Sequence, residues 1–120
     1  MPSTDKQELH ALFEVVSRYF SVLSEPTRLN ILHALCDGER SVSDIVAATE
    51  STQTNVSRHL KLMYDARILS RRKEGTLVFY RVSNEHTVDI CRSVCTQMAI
   101  EMANQRVINP KLAKKFTLQA

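Results

Sequence analysis

The stretch SVSDIVAATESTQTNVSRHLKLMYDA, residues 41–66, decides the fold. Ser41 carries a hydroxyl that can accept from the backbone near Asp44, which opens a short helix running to about Thr49. Glu50 to Thr52 form a brief polar link. A second helix then spans about 53–66, with Val56, Leu60 and Met63 facing in and Thr54, Asn55, Ser57, Arg58 and Lys61 facing out. Two helices joined by a tight polar turn, the second polar and basic outside, make a helix-turn-helix layout.

Upstream, Thr4 with Gln7 makes a capping box, and Leu9, Leu12, Phe13, Val16, Phe20 and Leu23 recur at helical spacing, so a first helix is expected over about 5–22. Ser24 can cap a second helix that tolerates Pro26 in its first turn. Leu29, Ile31, Leu32 and Leu35 supply its buried face, and Gly38 suits the position just past its end.

Downstream of Ala66 the period changes. ILSRRK and TLVFYRV are β-rich runs flanking Glu74-Gly75, a two-residue link suited to a hairpin because glycine accepts positive φ. A last helix is expected over about 86–103. Its Val88, Cys91, Cys95, Met98 and Met102 fall three, four, three and four apart, the seam of a helix that packs along another helix. The fold class is therefore mainly α with a small β-hairpin, a winged helix-turn-helix. Residues 1–103 read as the working domain, and 104–120 as a polar, basic tail interrupted by Pro110.

Bulk properties agree. At 120 residues the chain is one domain's length, its 43% apolar and 24% charged content is that of a globular protein, and two glycines argue against a turn-rich all-β fold. The net charge is only +3, but Ser51–Arg81 holds seven Lys/Arg against two acids, about +5, which leaves the remainder near −2. A basic stripe confined to one segment points to a polyanion. Three cysteines form no secreted disulfide framework. No signal segment and no apolar run of bilayer length is evident, so a cytoplasmic protein without a membrane partner is expected.

An α-helix about fits the major groove of B-DNA, where its polar side chains can bond base edges. The leading face here offers Ser51, Gln53, Thr54, Asn55, Ser57, Arg58, His59 and Lys61. Gln and Asn can pair with adenine and Arg with guanine, whereas the hydroxyls and Lys61 suit phosphates. Arg71, Arg72 and Lys73 sit beside the hairpin turn, a shape that can approach the minor groove or the backbone. Double-stranded DNA is the expected partner.

The run LSEPTRLNILHAL, followed by SVSDIVAATESTQTNVSRHLKLMYDARILSRRKEGTLVFYRV, strongly resembles the ArsR/SmtB family of bacterial transcriptional repressors over about Leu23–Val82. The likeness lies in the LS-x-PTR-x-x-IL opening, the recognition-helix run QTNVSRHLKLM and the wing RKEGTLVFYRV. It implies a homodimer built by the first and last helices, bound to an imperfect inverted repeat. It also implies release of DNA by an inducer, commonly a metal ion.

The family's metal sites can be checked by position. Where one places Cys-x-Cys, this chain has Ser41-Val42-Ser43, and hydroxyls are poor ligands for soft ions. At the last-helix zinc site the matching residues are Asn84, His86, Gln97 and Ile100, of which only His86 is a ligand type, so zinc is not expected. Cys91 and Cys95 share a helix face and can grip one As(III) or Sb(III), with Cys36 or a partner chain as the source of a third sulfur. Oxidation or persulfide chemistry at the same thiols, and simple packing, stand as alternatives. No cofactor is otherwise implied. An enzyme built on His86, Asp89 and Cys91 is not supported, because residues five apart point away from each other on a helix.

Overall fold

Val56, Leu60 and Met63 are almost wholly excluded from solvent, and they fasten the second helix of the pair to the rest of the fold. In the computed structural model, which describes residues 3–118, the elements run α1 (Ser3–Val22), α2 (Pro26–Ala34), β1 (Arg40–Ser41), α3 (Val42–Thr49), α4 (Gln53–Asp65), β2 (Leu69–Glu74), β3 (Leu77–Val82), α5 (Glu85–Asn104) and α6 (Pro110–Leu118). The chain divides into two compact units, one ending at Ser83 and one starting at Asn84.

In the first unit α2, α3 and α4 pack on one another around Ile31, Ile45, Val56, Leu60 and Met63. Each such side chain contributes about 1.5–3 kcal/mol by leaving water. Leu69 and Tyr80 extend this core under the sheet. The helix starts follow from short polar side chains. Ser41 accepts from Asp44 N at 3.1 Å, and Thr52 from Asn55 N at 3.1 Å. The second helix is capped one residue later than expected. Glu25, not Ser24, accepts from Arg28 N at 3.0 Å, while the Ser24 hydroxyl donates back to Ser21 O. The first helix already includes Ser3 and Thr4, ahead of the expected Thr4 cap.

The sheet is three-stranded and antiparallel, in the order β1-β3-β2. Its third strand, the Arg40–Ser41 pair opposite Tyr80 and Phe79, is too short to leave a periodic signal in sequence. Glu74 pairs with Leu77, so the hairpin link is Gly75-Thr76 rather than Glu74-Gly75, and Gly75 takes the positive φ of +62°.

The second unit is α5 packed on α6, with Ala99 and Ala113 buried. Asn84 caps α5 by accepting from His86 N at 2.9 Å. The expected tail thus contains a helix that starts at Pro110, a residue pre-set for the first turn. Residues 119–120 of that tail lie outside the described range.

Candidate nucleic-acid interface

The cap at Thr52 starts α4 with its polar residues aligned along one side. Gln53, Thr54, Ser57, Arg58 and Lys61 are exposed, and Ser51 and Asn55 are half-buried. The half-buried pair organises its neighbours. Asn55 Nδ2 donates to Ser51 Oγ at 3.0 Å, and Arg58 Nη2 donates to Asn55 Oδ1 at 2.9 Å. Arg58 is thereby oriented on the helix surface with guanidinium donors to spare. One turn on, Lys61 pairs with Asp65 at 3.0 Å, an exposed contact that leaves the ammonium accessible.

His59 departs from expectation. It is only 8% exposed and turns inward toward α2. Arg28 Nη1 lies 3.4 Å from His59 Nδ1, and Glu25 Oε2 lies 3.7 Å from Nε2. A guanidinium has no lone pair, so Nδ1 accepts in this contact and the ring proton sits on Nε2, facing Glu25. Arg28 also donates from Nε to Val22 O at 2.6 Å, so one residue ties the end of α1 to α4. The helical period explains the difference: His59 lies three residues from Val56, on the buried side.

Strand alternation splits the basic triplet of the wing. Arg71 stands opposite Tyr80 in the register, and its guanidinium lies 4.0 Å over the ring of Tyr64 on α4. A hydrogen bond with Tyr80 holds Arg71 more firmly protonated than usual. Lys73, two residues on, shares that side. Together they line a groove of about 450 Å³ with Ser43, Gln53, Ser57 and Thr76. This groove joins the polar face of α4 to the wing.

Arg72 belongs to the other face. It lies 4.5 Å over Phe79, donates from Nε and Nη2 to both carboxylate oxygens of Glu39 at 2.7–3.0 Å, and donates from Nη1 to Glu74 at 2.8 Å. These bonds raise the Arg72 pKa above its ordinary value, while the Arg72 hydrogen bond holds the Glu39 carboxyl below its ordinary 4.5. Neither Glu39 nor Thr76 was singled out from the sequence. Glu39 joins the wing through the two-residue β1, which has no pattern of its own. The opposed facing of Arg71 and Arg72, by contrast, was available from the period of two in SRRKE.

Cys91 and Cys95 are half-buried on α5, and Cys36 is half-buried in the turn after α2; all three are free thiols. Burial first, and the neighbouring Cys95 second, push the Cys91 thiol above its ordinary 9.0. Among the described residues no three His, Cys, Asp or Glu side chains come together to hold a metal ion. Met98 and Met102, on the same seam, are exposed, as are Ile90 and Val94. No described helix is long and apolar enough to cross a membrane.

Comparison with known proteins gives this geometry a lineage. A family model described as bacterial regulatory protein, arsR family, matches residues 25–71. The HTH-type transcriptional regulator KmtR of Mycobacterium tuberculosis is 36% identical over 72 residues, which cover 60% of this chain and 55% of that one. An arsenical resistance operon repressor of Bacillus subtilis is 33% identical over 76 residues, covering 60% of this chain and 72% of the relative. The chain spans 55% to 63% of the length of KmtR and of two further curated relatives. Among solved structures, the homodimeric winged helix-turn-helix DNA-binding domain Mb0332 of Mycobacterium bovis is similar with a TM-score of 0.67 and 30% identity, over 81% of this chain and 88% of that one. With helix pair, three-stranded wing and sequence all agreeing, the chain belongs to the ArsR family of bacterial regulatory proteins.

Proposed function

We propose that this protein is a sequence-specific, homodimeric DNA-binding repressor that acts in the cytoplasm on an inverted-repeat operator and carries both tasks within residues 1–103. The observation that supports it best is the continuous polar and basic surface in which Gln53 and Ser57 of α4 share a groove with Arg71 and Lys73 of the wing. In this reading Gln53, Asn55 and Arg58 meet base edges, and Ser51, Thr54, Ser57, Lys61, Arg71 and Lys73 meet the backbone. His59 leaves the set of contacts and becomes a support of α4.

Gel-shift with an inverted-repeat duplex against a random one, at several salt concentrations, tests the reading. Arg58→Ala should cost about 1–3 kcal/mol of discrimination, whereas Lys73→Ala should weaken binding to all sequences and reduce the salt slope. Binding no tighter than to random duplex would sink it.

The finer part of the proposal concerns the inducer. Cys91 and Cys95 lie one turn apart on α5, where an As(III) or Sb(III) ion would be gripped by two thiolates and alter the seam. A relative named as an arsenical resistance operon repressor supports that choice. The chain alone offers no third donor there among its described residues, so a partner chain's sulfur would complete the set. Thiol oxidation or persulfide formation is the alternative at the same pair. Release of operator by arsenite, antimonite, zinc, peroxide and persulfide, compared between wild type and Cys91→Ser/Cys95→Ser, separates these. Unchanged release in the double variant removes the thiols from the mechanism.

A further inference from the structure

The basic hairpin carries its own acidic counterweight. Arg72, 50% exposed, has both sides of its guanidinium occupied by carboxylates and one face stacked on Phe79. Glu39 reaches it from the β1 side of the sheet, across β3, with three hydrogen bonds of 2.7–3.0 Å. The inner face of the wing is different: Arg71 rests on aromatic rings, and Lys73 faces the groove without a carboxylate in its lining. One face of the hairpin is therefore cationic, and on the other Glu39 and Glu74 balance Arg72 and Arg81, with Arg72 held between the two carboxylates.

A hairpin tip seated in a minor groove about 6 Å wide has a phosphate wall on either side. The inner face is attracted to its wall through Arg71 and Lys73. On the outer face Arg72 is turned to Glu39 and Glu74 instead. Phosphate attraction is independent of sequence and dominates non-specific affinity, so withholding one cation on the outer face lowers binding to arbitrary DNA more than binding to a site read by α4.

We infer that Glu39 is a specificity-determining positioning residue: by clamping Arg72 onto the outer face of the wing, it withholds that cation from the DNA backbone. The inference rests on the DNA-binding reading above, and it adds a residue whose effect is on discrimination. The bond is half-exposed and bidentate, so its release shifts affinity by a small factor and not by orders of magnitude.

The test uses the full chain, a random-sequence duplex, and an inverted-repeat duplex selected from random DNA by the wild-type protein. Fluorescence anisotropy is recorded from about 50 to about 200 mM salt, where one added phosphate contact steepens the slope of log K by about 0.9. Glu39→Gln should bind the random duplex about three- to tenfold tighter at the low-salt end, with the slope steeper by that one contact, and its operator-to-random ratio should fall. In an Arg72→Gln background the same substitution should have a clearly smaller effect, that of removing one negative charge near Arg81, because Glu39 acts mainly through Arg72. A purely structural role would weaken both duplexes and leave the slope alone. Glu39→Gln with the wild-type slope and ratio overturns the inference, as does an undiminished effect in the Arg72→Gln background. A wild-type protein that selects no duplex sinks the proposed function instead, while the slope on random DNA still reports on Glu39.

Discussion

At the scale of single residues, His59 shows how a side chain on the helix proposed to read DNA supports that helix while turned inward. It links Glu25 and Arg28 at the start of α2 to the middle of α4, and so fixes how α4 lies on the core. His59→Ala removes a buried ring and leaves both polar neighbours facing a gap, a loss of about 1–3 kcal/mol that a urea unfolding curve would show. An unchanged midpoint would mean the link carries no load. Glu25 adds a pH dependence. Burial pushes its carboxyl up, but the backbone N–H groups of Arg28 and Thr27, with His59, more than offset this and hold it below its ordinary 4.5. Its folded-state pKa is thus the lower one, so its stabilisation is present above the ordinary value and fades as acid protonates the folded form. Glu25→Gln should flatten the fall in thermal midpoint below about pH 4.5. Cys91 shifts the opposite way. With its thiol raised above 9.0, less of it is thiolate near neutral pH than in an ordinary cysteine. Alkylation by iodoacetamide at pH 7.5 should be slower at Cys91 than at free cysteine, and should accelerate as pH passes 9; a rate matching free thiol would contradict the burial.

At the scale of elements, the helix ends are where this chain spends stability. Glu50, Arg67 and Arg106 take φ of 53°, 64° and 58°, the left-handed region that at helix ends is usually filled by glycine. Behind Arg67 the backbone closes in a double turn, Arg67 N to Tyr64 O and Ile68 N to Met63 O, which sends the chain into β2. A side chain in that region costs about 1–2 kcal/mol, partly offset by glycine's greater freedom when unfolded. Glu50→Gly should therefore raise stability by about 0.5–1 kcal/mol in thermal unfolding, with the α3–α4 turn unchanged. A lower midpoint would show that the Glu50 side chain, and not the backbone, holds the turn. The same positions explain what sequence could and could not disclose. Apart from His59, the faces of α4, the cap at Ser41 and the two long strands were legible, because period and polar caps are local signals. The left-handed backbone just past those helix ends, the Glu25 cap beside a more typical Ser24, and the β1 pair were not, because tertiary pairing and not local composition fixes them. The groove was half legible: its helix side followed from the α4 pattern and the split of Arg72 from Arg71 and Lys73 from strand alternation, while the reach of Glu39 to Arg72 required β1 and its pairing with β3.

At the scale of the whole molecule, apolar surface remains to be accounted for. Leu12, Phe13 and Phe20 on α1 are 54%, 58% and 51% exposed, and Val94 on α5 is 51% exposed. On each helix these are large side chains left exposed among the described residues, and contiguous apolar stripes of this kind mark surfaces that bind a partner. In the proposed homodimer a second copy would cover such a stripe, since a two-fold interface uses the same patch on each protomer. The consequence for DNA is quantitative. In the proposed dimer two linked recognition helices about 34 Å apart would bind two half-sites, and the second binding event would gain from the effective concentration that the dimer imposes. Phe13→Asp places a charge in the centre of the α1 stripe while leaving α4 and the wing untouched. Sedimentation velocity should then report a monomer where wild type reports a dimer. Affinity for a full inverted repeat should fall by about a hundredfold or more, with affinity for an isolated half-site almost unchanged. If Phe13→Asp sediments as wild type does, α1 is not the interface; if it dissociates and the full operator is bound as before, one copy suffices to read the site, and the spacing of the repeat has no role in recognition.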